Sequence, residues 1–126
     1  MGNIYYVCMQ KIRSVEYYKS YALDFINSQK PKVTAKINWT IGLIERVPRV
    51  PENYLKYLDG TDGLYEIRIQ YGSNIFRIFC VFDDGKVIIL LNGFQKKTQK
   101  TPVEELAKAI KIKKEYYEEK KHTKRS

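Results

Sequence analysis

The chain has 126 residues and a formal net charge of +9, from 23 basic and 14 acidic residues. Hydrophobic residues make up 44% of it and aromatic residues 13%, which excludes wholesale disorder. No apolar run approaches the ~18 residues of a membrane-spanning helix, and the first residues lack the pattern of a secretory signal. We expect no membrane association. The length predicts one domain. The positive charge favours an anionic partner such as nucleic acid, although lysines that only keep a chain soluble give the same balance.

The two cysteines, Cys8 and Cys80, lie within apolar runs. This placement is typical of buried thiols in a reducing compartment, so we expect a cytoplasmic protein. No metal-binding or phosphate-cradling glycine motif is present, and we expect no metal and no cofactor. The single histidine, His122, lies in a basic segment that offers nothing to bury. We therefore expect a folded domain over residues 1–119 and a flexible tail over residues 120–126.

The first half of the chain predicts one strand and two helices. The apolar run at residues 4–9 is typical of a short strand. Apolar residues then recur at helical spacing from Tyr18 to Ile26, which predicts a first helix. Pro31 can open a second helix, and the prolines within residues 47–51 end it. The apolar stripe predicted for the second helix comprises Val33, Ile37, Ile41 and Ile44.

Residues 64–94 predict an antiparallel meander of three strands. Gly72-Ser73 suits a type II′ hairpin turn and Asp84-Gly85 a type I′ turn, each with two central residues. The first turn then places Arg68 opposite Arg77, and the second places Arg77 opposite Asn92. A three-residue loop at either turn would shift this register.

The predicted register gives the sheet two different faces, because side chains alternate along a strand. One face carries no charge, and we expect helices to cover it. Its members are Tyr65, Ile67, Ile69, Tyr71, Phe76, Ile78, Cys80, Phe82, Val87, Ile89 and Leu91. The second face is mixed, and we expect it to be open. Its members are Glu66, Arg68, Gln70, Ile75, Arg77, Phe79, Leu90, Asn92 and Phe94.

A last helix follows the sheet. Thr101 can cap it, Pro102 suits its first position and Glu104 completes a capping box. Its predicted apolar stripe comprises Val103, Leu106, Ala107, Ile110 and Tyr117. The predicted fold class is therefore α+β, with an antiparallel sheet of three to four strands, helices packed on one face and the other face open.

The pair Arg68 and Arg77 predicts a phosphate-binding site. Like charges directly opposite each other destabilise a sheet, so folding alone does not favour two arginines there. Two guanidinium groups side by side can chelate the oxygens of one phosphate. The alternative is that Glu66 or another acid neutralises them on a solvated face. Glu66 is the only acid on this face, and it acts either as a general base or as a partner of Arg68.

The loop at residues 93–100 lies at the edge of the same face and is rich in lysine. Lys96 and Lys97 can neutralise a phosphate backbone, and Phe94 can stack on an unpaired base. Most lysine-rich loops are solvated surface, and it is the proximity to the arginine pair that favours a function here. The candidate RNA-binding residues are Gln70, Asn92, Phe94 and Lys100.

Three stretches carry a family resemblance: Leu-Tyr-Glu-Ile-Arg-Ile at 64–69, Asn-Ile-Phe-Arg-Ile-Phe at 74–79, and residues 87–102 with their Gly-Phe-Gln-Lys-Lys-Thr-Gln-Lys-Thr-Pro loop. They resemble the RelE/HigB toxins, most of all the phage-derived HigB-like branch. The resemblance extends over residues 64–119. Before residue 64 only the order strand–helix–helix agrees.

The resemblance implies the toxin of a type II toxin–antitoxin pair. Such toxins cut mRNA, usually in the ribosomal A site, use no metal and inhibit translation. The implied partners are mRNA, the ribosome and a helix-turn-helix antitoxin encoded next door, which would form a hetero-oligomer with the toxin.

By position, the resemblance implies that Arg68 contacts the scissile phosphate and Arg77 stabilises its charge. Lys96 and Lys97 would supply further basic or acid–base groups, and Glu66 is a further candidate for proton transfer. The histidine or late tyrosine of several relatives is not evident after Phe94.

Two other functions remain compatible with the residues. ParE-like relatives share this fold, inhibit DNA gyrase and cut no RNA. A non-catalytic RNA-binding domain, or a toxin that has decayed into one, would also retain basic and aromatic residues on an exposed sheet.

Overall fold

The computed structural model describes residues 9–98 and 100–125. The elements in chain order are β1 (Ser14–Tyr17), α1 (Tyr21–Asn27), α2 (Pro31–Arg46), β2 (Leu55–Tyr57), β3 (Leu64–Tyr71), β4 (Asn74–Asp83), β5 (Val87–Lys96) and α3 (Val103–Arg125). The strands form one sheet in the order β1-β5-β4-β3-β2. The pairs from β2 to β5 are antiparallel, and β1 runs parallel to β5. The predicted α+β class is confirmed, with five strands instead of three to four. No helix in these two ranges is both long and apolar enough to cross a bilayer.

The helices α1 and α2 pack on one face of the sheet, as predicted. Pro31 occupies the first turn of α2, where a missing N–H costs nothing, and Val47 ends the helix in an extended conformation before Pro48. The predicted stripe of α2 is buried against the sheet. The helix α1 begins at Tyr21 rather than Tyr18. Cys80 is fully buried in this core, as expected for a structural thiol. The predicted strand at residues 4–9 and Cys8 lie outside the described residues, apart from Met9.

The first hairpin has the predicted register, and the second does not. Arg68 lies opposite Arg77, and Gly72 has the positive φ of +62° that the first turn requires. In the second hairpin Asp83 pairs with Val87, so the loop has three residues instead of two. Each β5 residue up to Leu90 is therefore shifted by one position, which moves its side chain to the opposite face.

A β-bulge further along β5 restores the predicted facing at the end of the strand. Cys80 pairs with Leu90 but Ile78 pairs with Gly93, so β5 contains one extra residue between these two pairs. Arg77 consequently lies opposite Phe94 and not opposite Asn92.

The shifted register explains why the second face of the sheet is not fully open. It turns Val87, Ile89 and Leu91 toward that face, where they join the aromatic side chains of Phe79 and Phe94. So much apolar surface requires a cover, and α3 provides it. The expected open face is confirmed only for the part around the arginine pair.

The helix α3 packs through a different stripe from the one predicted. Ala109 and Ile112 are buried, whereas Val103 is 81% and Ile110 51% exposed. Apolar residues occur at helical spacing on two faces of this helix, and the face that includes the small Ala109 packs on the sheet. The helix also continues through residues 120–125, beyond the expected start of a flexible tail, and Lys120 donates to both carboxylate oxygens of Asp83 at 2.6 and 2.7 Å.

Gly93 is required by close packing between β5 and α1. An added Cβ would lie 2.4 Å from Cδ2 of the Phe25 ring. We expect Gly93→Ala to lower the free energy of unfolding by about 1–3 kcal/mol, because the ring must leave its position. Urea denaturation measures the loss. In a Phe25→Ala background the same substitution should cost much less, and an equal cost in both backgrounds would show that the Phe25 contact is not the reason.

Candidate phosphate-binding site

A buried carboxylate lies between the two arginines. Oε1 of Glu66 is 3.5 Å from Nε of Arg68 and 3.4 Å from Nε of Arg77. The side chains of Glu66 and Arg77 are 5% and 7% exposed, and that of Arg68 is 28% exposed. Of the two roles considered for Glu66, the structure has the pairing role, with both arginines rather than with Arg68 alone.

The backbone fixes this arrangement. Glu66 and Arg68 are two residues apart on β3 and therefore share a face. Arg77 is the direct cross-strand neighbour of Arg68 on β4, and such neighbours have Cβ atoms about 5 Å apart. The N–H of Arg68 also donates to the carbonyl of Tyr54 at 2.8 Å, which holds the segment before β2 against β3.

Hydrogen bonds within the described chain leave the cluster incompletely satisfied. Nη1 of Arg77 donates to the carbonyl of Phe76 at 3.1 Å, but its buried Nε makes no hydrogen bond to any described residue. Oε2 of Glu66 is buried and unpartnered in the same sense. Burial lowers the pKa of the Arg77 guanidinium, Arg68 lowers it further, and Glu66 opposes both effects. A single carboxylate thus leaves cationic charge on this site that another anion can neutralise.

Two lysines extend the cationic cluster. Lys56 on β2 lies opposite Glu66, and Lys96 lies opposite Ile75 at the end of β5. Burial lowers the pKa of Lys96, and Arg77 is the largest of the neighbouring charges that lower it further. Lys96 is therefore drawn into the cluster as the sequence suggested. Lys56 was not foreseen, because a strand of three residues is too short to give a periodic signal.

The other candidate residues lie elsewhere. Phe94 is buried and stacks on Phe79, with ring centroids 5.5 Å apart. Asn92 is buried and donates to the backbone carbonyl of Glu105 on α3 at 3.2 Å. Lys97 and Lys100 are exposed in the segment between β5 and α3. The structure thus brings Lys96 to the arginine pair and leaves these four residues outside the cluster.

A cavity of about 170 Å³ opens on the arginine pair. It is lined by Asn53, Arg68, Ile69, Gln70 and Arg77. Gln70 is exposed at this cavity, and its Nε2 donates to the carbonyl of Gly72 at 3.2 Å. Within residues 9–98 and 100–125, no three His, Cys, Asp or Glu side chains lie close enough to hold a metal ion. The chemistry that the cavity offers is the binding of an anion, with two guanidinium groups as donors.

Comparisons with known proteins agree with this fold and site. The family model described as phage-derived protein Gp49-like (DUF891) matches residues 24–114. Among solved structures, the archaeal RelE–RelB complex from Pyrococcus horikoshii OT3 is similar, with 19% identity and a TM-score of 0.46. That match covers 65% of this chain and 92% of the other. No curated protein matches the chain significantly.

Replacing the carboxylate tests the charge balance of the cluster. We expect Glu66→Gln to lower the free energy of unfolding by about 2–3 kcal/mol, less than for a fully buried ion pair because Arg68 remains partly in water. Inorganic phosphate should then stabilise the variant more than the parent chain, because it can replace the lost anion. Thermal unfolding with and without phosphate measures both effects.

Glu104→Gln is the matched control, since this carboxylate is exposed on α3. It should change the stability by less than about 0.5 kcal/mol and leave the response to phosphate unaltered. An equal response to phosphate in the parent chain and in Glu66→Gln would contradict the assignment of an anion site.

Proposed function

The chain belongs to the Gp49-like family of phage-derived proteins, which is a family of RelE-like toxins, and on that basis we propose that it is a metal-independent endoribonuclease of a toxin–antitoxin pair. Its substrate would be mRNA on the ribosome, and cleavage would inhibit translation. The observation that supports this activity most directly is the pair of arginines beside the cavity, with an unsatisfied guanidinium N–H on Arg77.

The proposed reaction needs only groups of the RNA and of this chain. A ribose 2′-oxygen attacks the adjacent phosphorus, the bond from phosphorus to the 5′-oxygen breaks, and a 2′,3′-cyclic phosphate and a 5′-hydroxyl result. Charge accumulates on the phosphate oxygens as the attack proceeds. Arg68 and Arg77 would stabilise that charge, and preorganised donors of this kind contribute about 3 kcal/mol each.

We assign proton removal from the 2′-hydroxyl to Lys96. A lysine is a base only when neutral, and burial together with Arg77 lowers the pKa of Lys96, which favours the neutral amine. Glu66 is engaged with two guanidinium groups and serves better as the residue that positions them. Lys97 is exposed and more distant from the cluster in its contacts, so we assign it to electrostatic attraction of RNA.

The proposed partners follow from the charge and the family. A chain with a net charge of +9 is attracted to the phosphate backbone of mRNA and ribosomal RNA. If the ribosome positions the mRNA, the chain itself needs to supply less of the catalysis. We propose a helix-turn-helix antitoxin encoded by the neighbouring gene, which would neutralise the chain in a hetero-oligomer.

Removing an arginine tests the nuclease. We expect Arg77→Ala to reduce cleavage of a translated mRNA in a ribosome-containing extract at least ~100-fold, because a main donor to the developing charge is lost. Arg68→Ala should have a similar effect and is the safer variant for folding, since Arg68 is less buried. Primer extension on the message measures the cleavage.

Arg49→Ala is the control, because Arg49 is exposed outside the cluster. It should cleave normally. Full activity of a folded Arg77→Ala or Arg68→Ala chain would rule out the mechanism. Intact messages together with blocked DNA supercoiling would assign the chain to gyrase inhibition instead.

The role of Lys96 predicts a pH dependence. Cleavage should rise with pH, about tenfold per unit, toward a midpoint below the ordinary lysine value of ~10.4, because the neutral amine is the active form. Lys96→Arg keeps the positive charge but cannot release its proton. Single-turnover rates from pH 6 to 9 should therefore fall as far in Lys96→Arg as in Lys96→Ala. Retention of most activity in Lys96→Arg would restrict Lys96 to charge stabilisation.

A further inference from the structure

The cavity at the arginine pair has two chemically different parts. Arg68 and Arg77 bear full charges and can bind any phosphate, whichever base it carries. Asn53 and Gln70, which also line the cavity, are exposed amides without charge. Amides add nothing to the charge that holds a phosphate. Their presence beside the guanidinium groups therefore calls for a different ligand group.

Asn53 is held firmly beside Arg68 by its backbone. It lies in a turn in which Tyr54 donates to the carbonyl of Pro51 at 2.9 Å. The carbonyl of Tyr54 in turn accepts from the N–H of Arg68 at 2.8 Å. Nη1 of Arg68 also approaches the carbonyl of Glu52 at 3.5 Å. The position of Asn53 relative to the arginine pair is thus fixed by contacts on both sides of it in the chain.

The amide of Asn53 is free to bind a ligand. It makes no hydrogen bond in the part of the chain that the structure describes, whereas Gln70 already donates to Gly72. A planar amide presents one donor and one acceptor side by side, and it pairs with a base edge that presents the complementary set. Adenine has such a set on two edges, N6–H with N7 and N6–H with N1, so it can be bound in more orientations than the other bases.

We propose that Asn53 is a specificity-determining residue that binds the base, preferentially adenine, of the nucleotide whose phosphate lies on Arg68 and Arg77. This inference rests on the proposed binding of RNA at that cavity but not on its cleavage. The arginines would hold the backbone of any RNA, and Asn53 would select among sequences.

The experiment measures binding separately from cleavage. Short RNA oligonucleotides with a 2′-deoxy sugar at the central nucleotide cannot be cut there, and they differ only in its base: adenine, cytosine, guanine or uracil. Fluorescence anisotropy at one fixed salt concentration gives the four dissociation constants. We expect the full chain to bind the adenine oligonucleotide at least about fivefold more tightly than the others. Asn53→Ala should bind all four within about twofold of one another, while its mean affinity stays close to that of the parent because the phosphate contacts remain.

Two further variants sharpen the outcome. Asn53→Asp keeps the shape but replaces the amide donor with a carboxylate oxygen, so it should lose the adenine preference and bind every oligonucleotide more weakly. Asn38→Ala removes an exposed asparagine on α2 and should keep the preference. Equal binding of all four bases by the parent chain, or an unchanged preference in Asn53→Ala, would overturn the inference. A chain that prefers adenine through Asn53 but leaves unmodified RNA uncut would keep this inference and refute the nuclease.

Discussion

Everything about the site depends on one carboxylate that allows two arginines to lie side by side. Arg68 and Arg77 are direct neighbours on adjacent strands, where like charges repel. Oε1 of Glu66 is within 3.5 Å of both Nε atoms, which offsets part of this repulsion without using the remaining donors of the guanidinium groups. Because the carboxylate belongs to β3 itself, the arginines are held in place before any ligand arrives. The same carboxylate leaves the cluster with excess positive charge, so the site remains receptive to a phosphate.

The first hairpin and α2 could be predicted from sequence because their signals are local. Gly72 permits one short turn, and that turn sets the pairing of Arg68 with Arg77. The second hairpin contains a similar signal in Asp84-Gly85, with φ values of +60° and +73°, but Lys86 belongs to the loop as well. A dipeptide does not reveal whether a third residue joins the turn. The bulge in β5 is equally silent in sequence, because its apolar residues suit both faces of a sheet that has a helix layer on each side.

The candidate site was predictable to the extent that it lies on β3 and β4. Its arginines and Glu66 follow from the alternation of side chains on two strands whose register was right. Lys56 and Asn53 could not be predicted, because their positions depend on the docking of the 47–57 segment onto β3, which is a tertiary contact. Phe94 and Asn92 have the composition of ligand-binding residues, but α3 covers this end of the face and engages them in packing and in a β5–α3 hydrogen bond.

The sheet has its two shortest strands at its margins. β1 has four residues and β2 has three, while the strands between them have eight to ten. A marginal strand offers unpaired backbone groups to any chain that approaches it, and few residues offer few such groups. The long, strongly apolar strands that would propagate an aggregate are thus enclosed by neighbours on both sides. A lysine-rich chain built in this way can be concentrated with little tendency to polymerise through its sheet.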